Sequence, residues 1–219
     1  MVLTGIDGAG KTTAARAVVD AARASGQQAC LLRNPAGRVS MASMWARSGI
    51  RPSPRVEDLL ESSVRIWNVL INTVRARRRS GLVVLDRGLV CQLALRRMRG
   101  LPRGHVIPWL LAVLPRPDAV VHFELDPALA LRRIDRRAAD TETLQGLTDF
   151  QAGYASLPEY ATFTVLDASR PPAAVRADLA AIAGRGSGGD PHLNRNSSWT
   201  CRRCRPGPHP VTQLDSSVA

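Results

Sequence analysis

The stretch Gly5-Ile6-Asp7-Gly8-Ala9-Gly10-Lys11-Thr12-Thr13 constrains this chain more than any other. It satisfies the pattern G-x-x-x-x-G-K-[ST] between a short apolar run, residues 1–4, and a segment of helical spacing, residues 12–25, that Gly26 stops. Strand, glycine-rich turn and helix, in that order, make a cradle for phosphate. Gly5, Gly8 and Gly10, with Ala9 between them, let successive backbone N–H groups turn inward, and the helix N-terminus adds a positive dipole. Lys11 is expected to reach the β and γ phosphates of a nucleoside triphosphate. Thr12 would offer its hydroxyl to a bridging magnesium ion (Mg2+), and Thr13 closes the loop. ATP is the default ligand, and the loop does not separate it from GTP.

Further apolar runs follow at residues 29–32, 82–85, 119–125 and 162–166. Those at 82–85 and 119–125 lack polar alternation, as strands do when both faces of a parallel sheet are covered. Helical patterns occupy residues 56–79 and 172–183, and a third, opened by Asp126-Pro127, runs to Arg137. Strands alternating with helices predict an α/β fold, a doubly wound parallel sheet in three layers, with ligands at the strands' carboxyl ends. Asp86 and Arg87 stand at one such end.

The formal net charge of +12 favours anionic partners, and every basic residue except Lys11 is arginine. Such a bias leaves many arginines without a special role, yet a compact charge is retained where it must slide between phosphate oxygens. No apolar run reaches the roughly 20 residues needed to cross a bilayer. Four cysteines without a leader pattern point to a reducing, cytoplasmic setting.

Residues 1–183 are expected to form one domain. In residues 184–219, sixteen of thirty-six are Gly, Pro, Ser or Asn, which predicts a basic, disordered tail. Its Cys201 and Cys204, with His192 and His209, supply half of a zinc site at most. Contact of the tail with nucleic acid stays open.

A phosphate loop serves motors, switches and kinases alike, so the reaction has to be read elsewhere. The loop, with Asp7 inside it and two threonines after the lysine, resembles that of thymidylate kinases. Arg33-Asn34-Pro35-Ala36-Gly37 looks like that family's R-E-P-G-G turn, Leu59-Leu60-Glu61-Ser62-Ser63-Val64-Arg65 like its L-L-F-A-A-D-R helix, and Asp86-Arg87-Gly88 like its D-R-Y. Pro117-Asp118, Asp126-Pro127, Gly153-Tyr154 and Asp167-Ala168-Ser169 are similar to later landmarks. The resemblance covers residues 1–183.

It implies a P-loop kinase fold, with ATP facing a nucleoside monophosphate for in-line transfer, and a homodimer. Lys11, Asp7, Arg87 and Asp86 would form the catalytic set, with Thr12 and Asp86 near magnesium and Asp7 at the acceptor sugar or a magnesium-bound water. Arg65 and Arg87 would clamp the acceptor phosphate, Gln92 would reach its base, and Tyr154 would close over it or serve as plain core. Arg132, Arg133, Arg136 and Arg137 would lead into a basic lid that supplies charge to the transferring phosphoryl group, the alternative being a solvated helix face.

The acceptor side departs from the pattern. Glu61 stands where the family has an aromatic ring, Gly88 and Leu95 where it has tyrosines, and Asn34 where it has glutamate. Base stacking contributes roughly 1–3 kcal/mol, so Glu61 implies weaker binding, another base, or Trp67 standing in for the ring unless Trp67 is core. The leading expectation is conversion of dTMP and ATP to dTDP and ADP. The alternatives are a kinase for another nucleotide, nucleoside or small metabolite, and a nucleotide-dependent switch or ATPase acting with nucleic acid.

Overall fold

A computed structural model describes residues 1–34, 53–137 and 142–186. Five strands form one parallel sheet: β1 (Val2–Thr4), β2 (Ala29–Arg33), β3 (Leu82–Asp86), β4 (Val120–Glu124) and β5 (Thr164–Asp167). Their spatial order is β2-β3-β1-β4-β5. Among the described residues the α-helices are α1 (Lys11–Ala24), α2 (Pro54–Arg77), α3 (Val90–Met98), α4 (Val106–Val113), α5 (Pro127–Asp135), α6 (Leu144–Ala155) and α7 (Pro172–Gly186). The doubly wound α/β expectation holds.

Three consecutive residues of β4, Val121, His122 and Phe123, are at most 2% exposed. Successive strand side chains point to opposite faces, so both faces of the sheet are covered at that point. β1 lies between β3 and β4, pairing Val2 with Leu85 on one side and with Val120 on the other. The chain leaves β1 for β2 at one edge and leaves β3 for β4 across the sheet. The carboxyl ends of β1 and β3 therefore sit side by side where the winding reverses, which is where doubly wound folds bind ligands.

Several boundaries differ from the sequence expectation. The last strand begins at Thr164 because Pro158–Thr162 form a 3-10 turn, and α5 ends at Asp135, short of the expected Arg137. Its start is the expected one, with Pro127 in the first turn and Asp126 as cap, the Asp126 side chain accepting from the Leu129 N–H at 2.9 Å. Helices α3, α4 and α6 fall outside the helical patterns read from the sequence. The last helix runs to Gly186, beyond 183. Pro35 to Gly37, the stretch after Arg137 and the tail with Cys201, Cys204, His192 and His209 lie outside the described residues.

Candidate active site

The phosphate loop leaves β1 at Gly5 and enters α1 at Lys11. Gly5 and Gly8 have φ of 127° and 82°, and a Cβ at either would meet a backbone carbonyl, Phe123 O at 2.5 Å and Ala130 O at 2.6 Å. Only glycine meets both demands, and in meeting them it presses the loop against β4 and α5. Lys11, at the first turn of α1, is 5% exposed and donates to the Ile6 carbonyl. Burial, with Arg87 nearby, lowers its pKa to about 8.

At the neighbouring strand end, Asp86 closes β3 and is 8% exposed. Its Oδ2 accepts from the Thr12 hydroxyl at 2.6 Å, while Oδ1 has no partner. Arg87 follows with φ of 74°, the one non-glycine residue with positive φ among the described residues. That conformation costs roughly 1–2 kcal/mol. It is held from two sides, by the Arg87 N–H donating to Leu3 O at 3.1 Å and by an ion pair from its guanidinium to Asp7. Burial works to lower the Arg87 pKa, but the Asp7 carboxylate, acting together with Cys91, Tyr154 and Asp86, outweighs it and keeps the pKa above the ordinary arginine value. The Asp7–Arg87 pair thus ties the loop to the β3 turn.

Arg65 sits on α2 with no exposed surface. Burial lowers its pKa, and Cys91, Arg87, Tyr154 and Glu61 are the charged or titratable groups around it. Its Nε donates to Gln92 Oε1 at 3.0 Å, and its two terminal nitrogens have no partner. Gln92, expected at the acceptor base, has both ends of its amide engaged, since Nε2 donates to Asp58 Oδ1 at 3.0 Å. Tyr154, on α6, is fully buried, its ring centroid 4.9 Å from that of His122 in an edge-to-face arrangement. Burial, with the Cys91 thiol beside it, pushes its phenol well above the usual value.

The arginines of α5 and of the turn after it separate. Arg133 donates to Ala168 O at 3.0 Å, and Arg137 donates back to Arg133 O at 3.3 Å. With Arg136 they line a cavity of about 350 Å³ whose other walls include Gly8, Thr13, Ala168 and Arg176. Arg137 also reaches a cavity of about 200 Å³ bounded by Asp7, Lys11, Thr12 and Arg87. Arg132 is exposed and lines neither. Arg176, on α7, was missed by sequence reasoning because nothing marks one arginine among so many.

Trp67 needs correction. It is 66% exposed on α2 and is not core. Glu61, by contrast, is 3% exposed and accepts from Arg99 at 2.8 Å, so the carboxylate that replaces the family's ring is held in an ion pair. Asp58, Arg96 and Arg99 also escaped the sequence reading. Their only signal is a repeat of three- and four-residue spacings, 58-61-65 against 92-96-99, which becomes visible once α2 and α3 are known to adjoin.

A family model described as thymidylate kinase matches residues 3–179. A protein named "Probable thymidylate kinase" from Pyrobaculum calidifontis is 27% identical over 189 residues, covering 84% of this chain and 95% of that protein. One of the same name from Pyrobaculum aerophilum is 29% identical over 192 residues, 84% and 96% of the two chains. A "Thymidylate kinase" from Xanthomonas oryzae pv. oryzae is 30% identical over 140 residues, 63% of this chain and 60% of its own. With the family match running from β1 to α7, across every strand of the sheet, this chain belongs to the thymidylate kinase family.

Proposed function

We propose that the protein transfers the γ-phosphoryl group of ATP to dTMP, giving dTDP and ADP. The bond from the γ-phosphorus to the β–γ bridging oxygen breaks as an oxygen of the dTMP phosphate takes its place. The observation that carries the reading is the ion pair of Asp7, inside the donor loop, with Arg87, at the end of the neighbouring strand. It supports a site in which one arginine fork faces both the transferring group and the acceptor phosphate. Lys11 then neutralises charge on the donor phosphates, and Asp7 orients Arg87 and meets the acceptor sugar. Arg133, Arg136 and Arg137 border the donor side, and Arg137 is the one that lines both cavities.

Magnesium fits the residues present. Thr12 Oγ1 and Asp86 are hard oxygen donors 2.6 Å apart, and Asp86 keeps a buried, unpartnered oxygen. When bound, the ion would supply charge neutralisation across the phosphates, with Thr12 and Asp86 as its protein anchors.

On the acceptor side, Arg65 offers two buried NH2 groups without partners, and the buried Tyr154 would back them from α6. Glu61 in place of a ring favours a second reading, an acceptor other than dTMP. Incubation with ATP, magnesium and a panel of nucleosides and monophosphates separates the two. ADP formed with dTMP above all other acceptors supports the first, and ADP formed only with another acceptor removes it.

The proposal carries a cytoplasmic location with it, and no helix among the described residues is long and apolar enough to cross a membrane. It also includes a homodimer. The outward face of α2 exposes Val56, Leu60, Val64, Trp67 and Val74, an apolar stripe suited to a second copy of this chain. Sedimentation equilibrium of the wild type and Trp67→Asp tests it, a monomeric wild type removing the dimer. We further read residues 1–183 as the catalytic unit and 184–219 as an appendage, a division that predicts full turnover after removal of the appendage.

A further inference from the structure

The seam between α2 and α3 carries charge where an apolar contact would be the simpler solution. Asp58, Glu61 and Arg65 follow one another along α2, and they face Gln92, Arg96 and Arg99. Arg65 Nε donates to Gln92 Oε1 at 3.0 Å, Gln92 Nε2 donates to Asp58 Oδ1 at 3.0 Å, and Asp58 Oδ2 lies 3.4 Å from Arg96 Nε. Asp58, Gln92 and Arg65 are 4%, 0% and 0% exposed. The relay therefore begins at a half-buried arginine and ends at a fully buried one, whose Nη1 and Nη2 have no protein partner.

A glutamine amide is nearly symmetric in shape and opposite in function at its two ends, so something must decide which end faces Arg65. A carboxylate only accepts. Asp58 takes the NH2 end of Gln92 and leaves the carbonyl oxygen for Arg65 Nε. A turned amide would set N–H against N–H in a buried site, where an unmade hydrogen bond is costly. Arg96 balances the charge of Asp58 and is itself only partly buried.

We propose that Asp58 is a positioning residue for the acceptor: by fixing the Gln92 amide it commits Arg65 Nε to the protein and leaves both terminal nitrogens of Arg65 for the acceptor. This rests on the acceptor role given to Arg65 under the proposed function. Asp58 touches no substrate, so its effect travels through Gln92 and is confined to the acceptor half of the site.

The test measures steady-state constants for ATP and for the acceptor that the wild type uses, in Asp58→Ala, Asp58→Asn, Gln92→Ala and the double Ala variant. Asp58→Ala is expected to raise the acceptor KM roughly tenfold, the effect of losing one buried hydrogen bond, with the ATP KM unchanged. Asp58→Asn, which still accepts from Gln92, recovers part of that loss and covers the case in which the Ala variant fails to fold. In the Gln92→Ala background, loss of the Asp58 carboxylate adds less than twofold. Exchange of the Arg65 Nε proton, followed by NMR, is slow in the wild type and fast in Asp58→Ala. The proposal is overturned if both KM values move together, if the two substitutions multiply, or if Arg65 Nε exchange is unchanged. A wild type that phosphorylates no monophosphate defeats the acceptor reading instead, while the exchange measurement still decides whether Asp58 positions Arg65.

Discussion

The donor and acceptor halves of the proposed site are built from different materials. The donor half is made of backbone: glycines whose missing Cβ atoms let the loop lie against Phe123 and Ala130, and N–H groups at the start of α1. The acceptor half is made of side chains drawn from α2, α3, β3 and α6, each oriented by another side chain. Backbone chemistry is shared by all residues, so the first half depends on where glycine is allowed. The second depends on the identity of Asp58, Arg65, Gln92 and their partners, and beside them Glu61 stands where the resemblance expects a ring. Within one pocket, the part that holds the common donor is rigidly specified and the part that selects the acceptor is free to diverge.

The largest test of that contrast removes the side chain proposed to neutralise charge on the donor phosphates. Lys11→Ala is expected to lower phosphoryl transfer about a thousandfold, since a preorganised charge on the transferring group is lost. The folded state should lose nothing, because the native environment disfavours the charge Lys11 carries at neutral pH. Single-turnover ADP formation and a thermal melt check both outcomes, and unchanged transfer would remove the mechanism. Arg87→Lys comes next. A lysine keeps the charge but not the fork that pairs with Asp7 and the acceptor phosphate, so kcat/KM for the acceptor should fall about a hundredfold. ATP binding, measured by calorimetry, should shift by no more than a few-fold; equal losses for donor and acceptor would erase the distinction between the halves.

The same contrast explains what could be read in advance. The strands and the loop were legible because parallel strands buried on both faces leave uninterrupted apolar runs and because few sequences besides phosphate cradles need glycine at those spacings. Asp7, Lys11, Thr12, Asp86 and Arg87 follow the loop and the strand end, and all of them converge on one corner of the sheet. Asp58, Arg96 and Arg99 left no comparable trace. A buried carboxylate looks like a solvated one until its partner on another helix is known, and twenty-nine arginines hide the few that are paired. Trp67 was misjudged for a related reason: a large ring at helical spacing reads as core, yet the burial of α2 is on the side that carries Asp58, Glu61 and Arg65.

Acidity gives a smaller effect that belongs to the donor half alone. Lys11 has a pKa of about 8 in the folded protein against an ordinary 10.5. Between those values the unfolded chain binds a proton that the folded one does not, so stability rises with pH across that window. ATP reverses the preference, since its phosphates favour the charged amine. Above pH 8 binding therefore takes up a proton, and ATP affinity should fall by up to about tenfold per pH unit. Calorimetry in two buffers of different ionisation enthalpy measures the uptake directly. No proton uptake at pH 9 would mean that Lys11 is already charged in the free protein. Acceptor affinity, which relies on arginines, should stay level over the same range.

The smallest effect is at Glu61, and it bears most directly on how the acceptor half diverged. Where the resemblance expects a ring, the chain carries a carboxylate that is 3% exposed and paired with Arg99 at 2.8 Å, and Arg99 itself is 16% exposed. Glu61→Gln keeps the shape and the hydrogen bond and removes only the charge. Arg99 can still reach water, so the cost to stability should be about 1 kcal/mol, well short of that for a fully buried pair. The acceptor KM should change by no more than threefold or so, because Glu61 faces Arg99 and leaves the acceptor to Arg65. A thermal melt and an acceptor titration decide it. If Glu61→Gln moves the acceptor KM by tenfold while stability holds, the carboxylate reads the acceptor itself, and the divergence lies in direct recognition and not in how the helix carrying Arg65 is held.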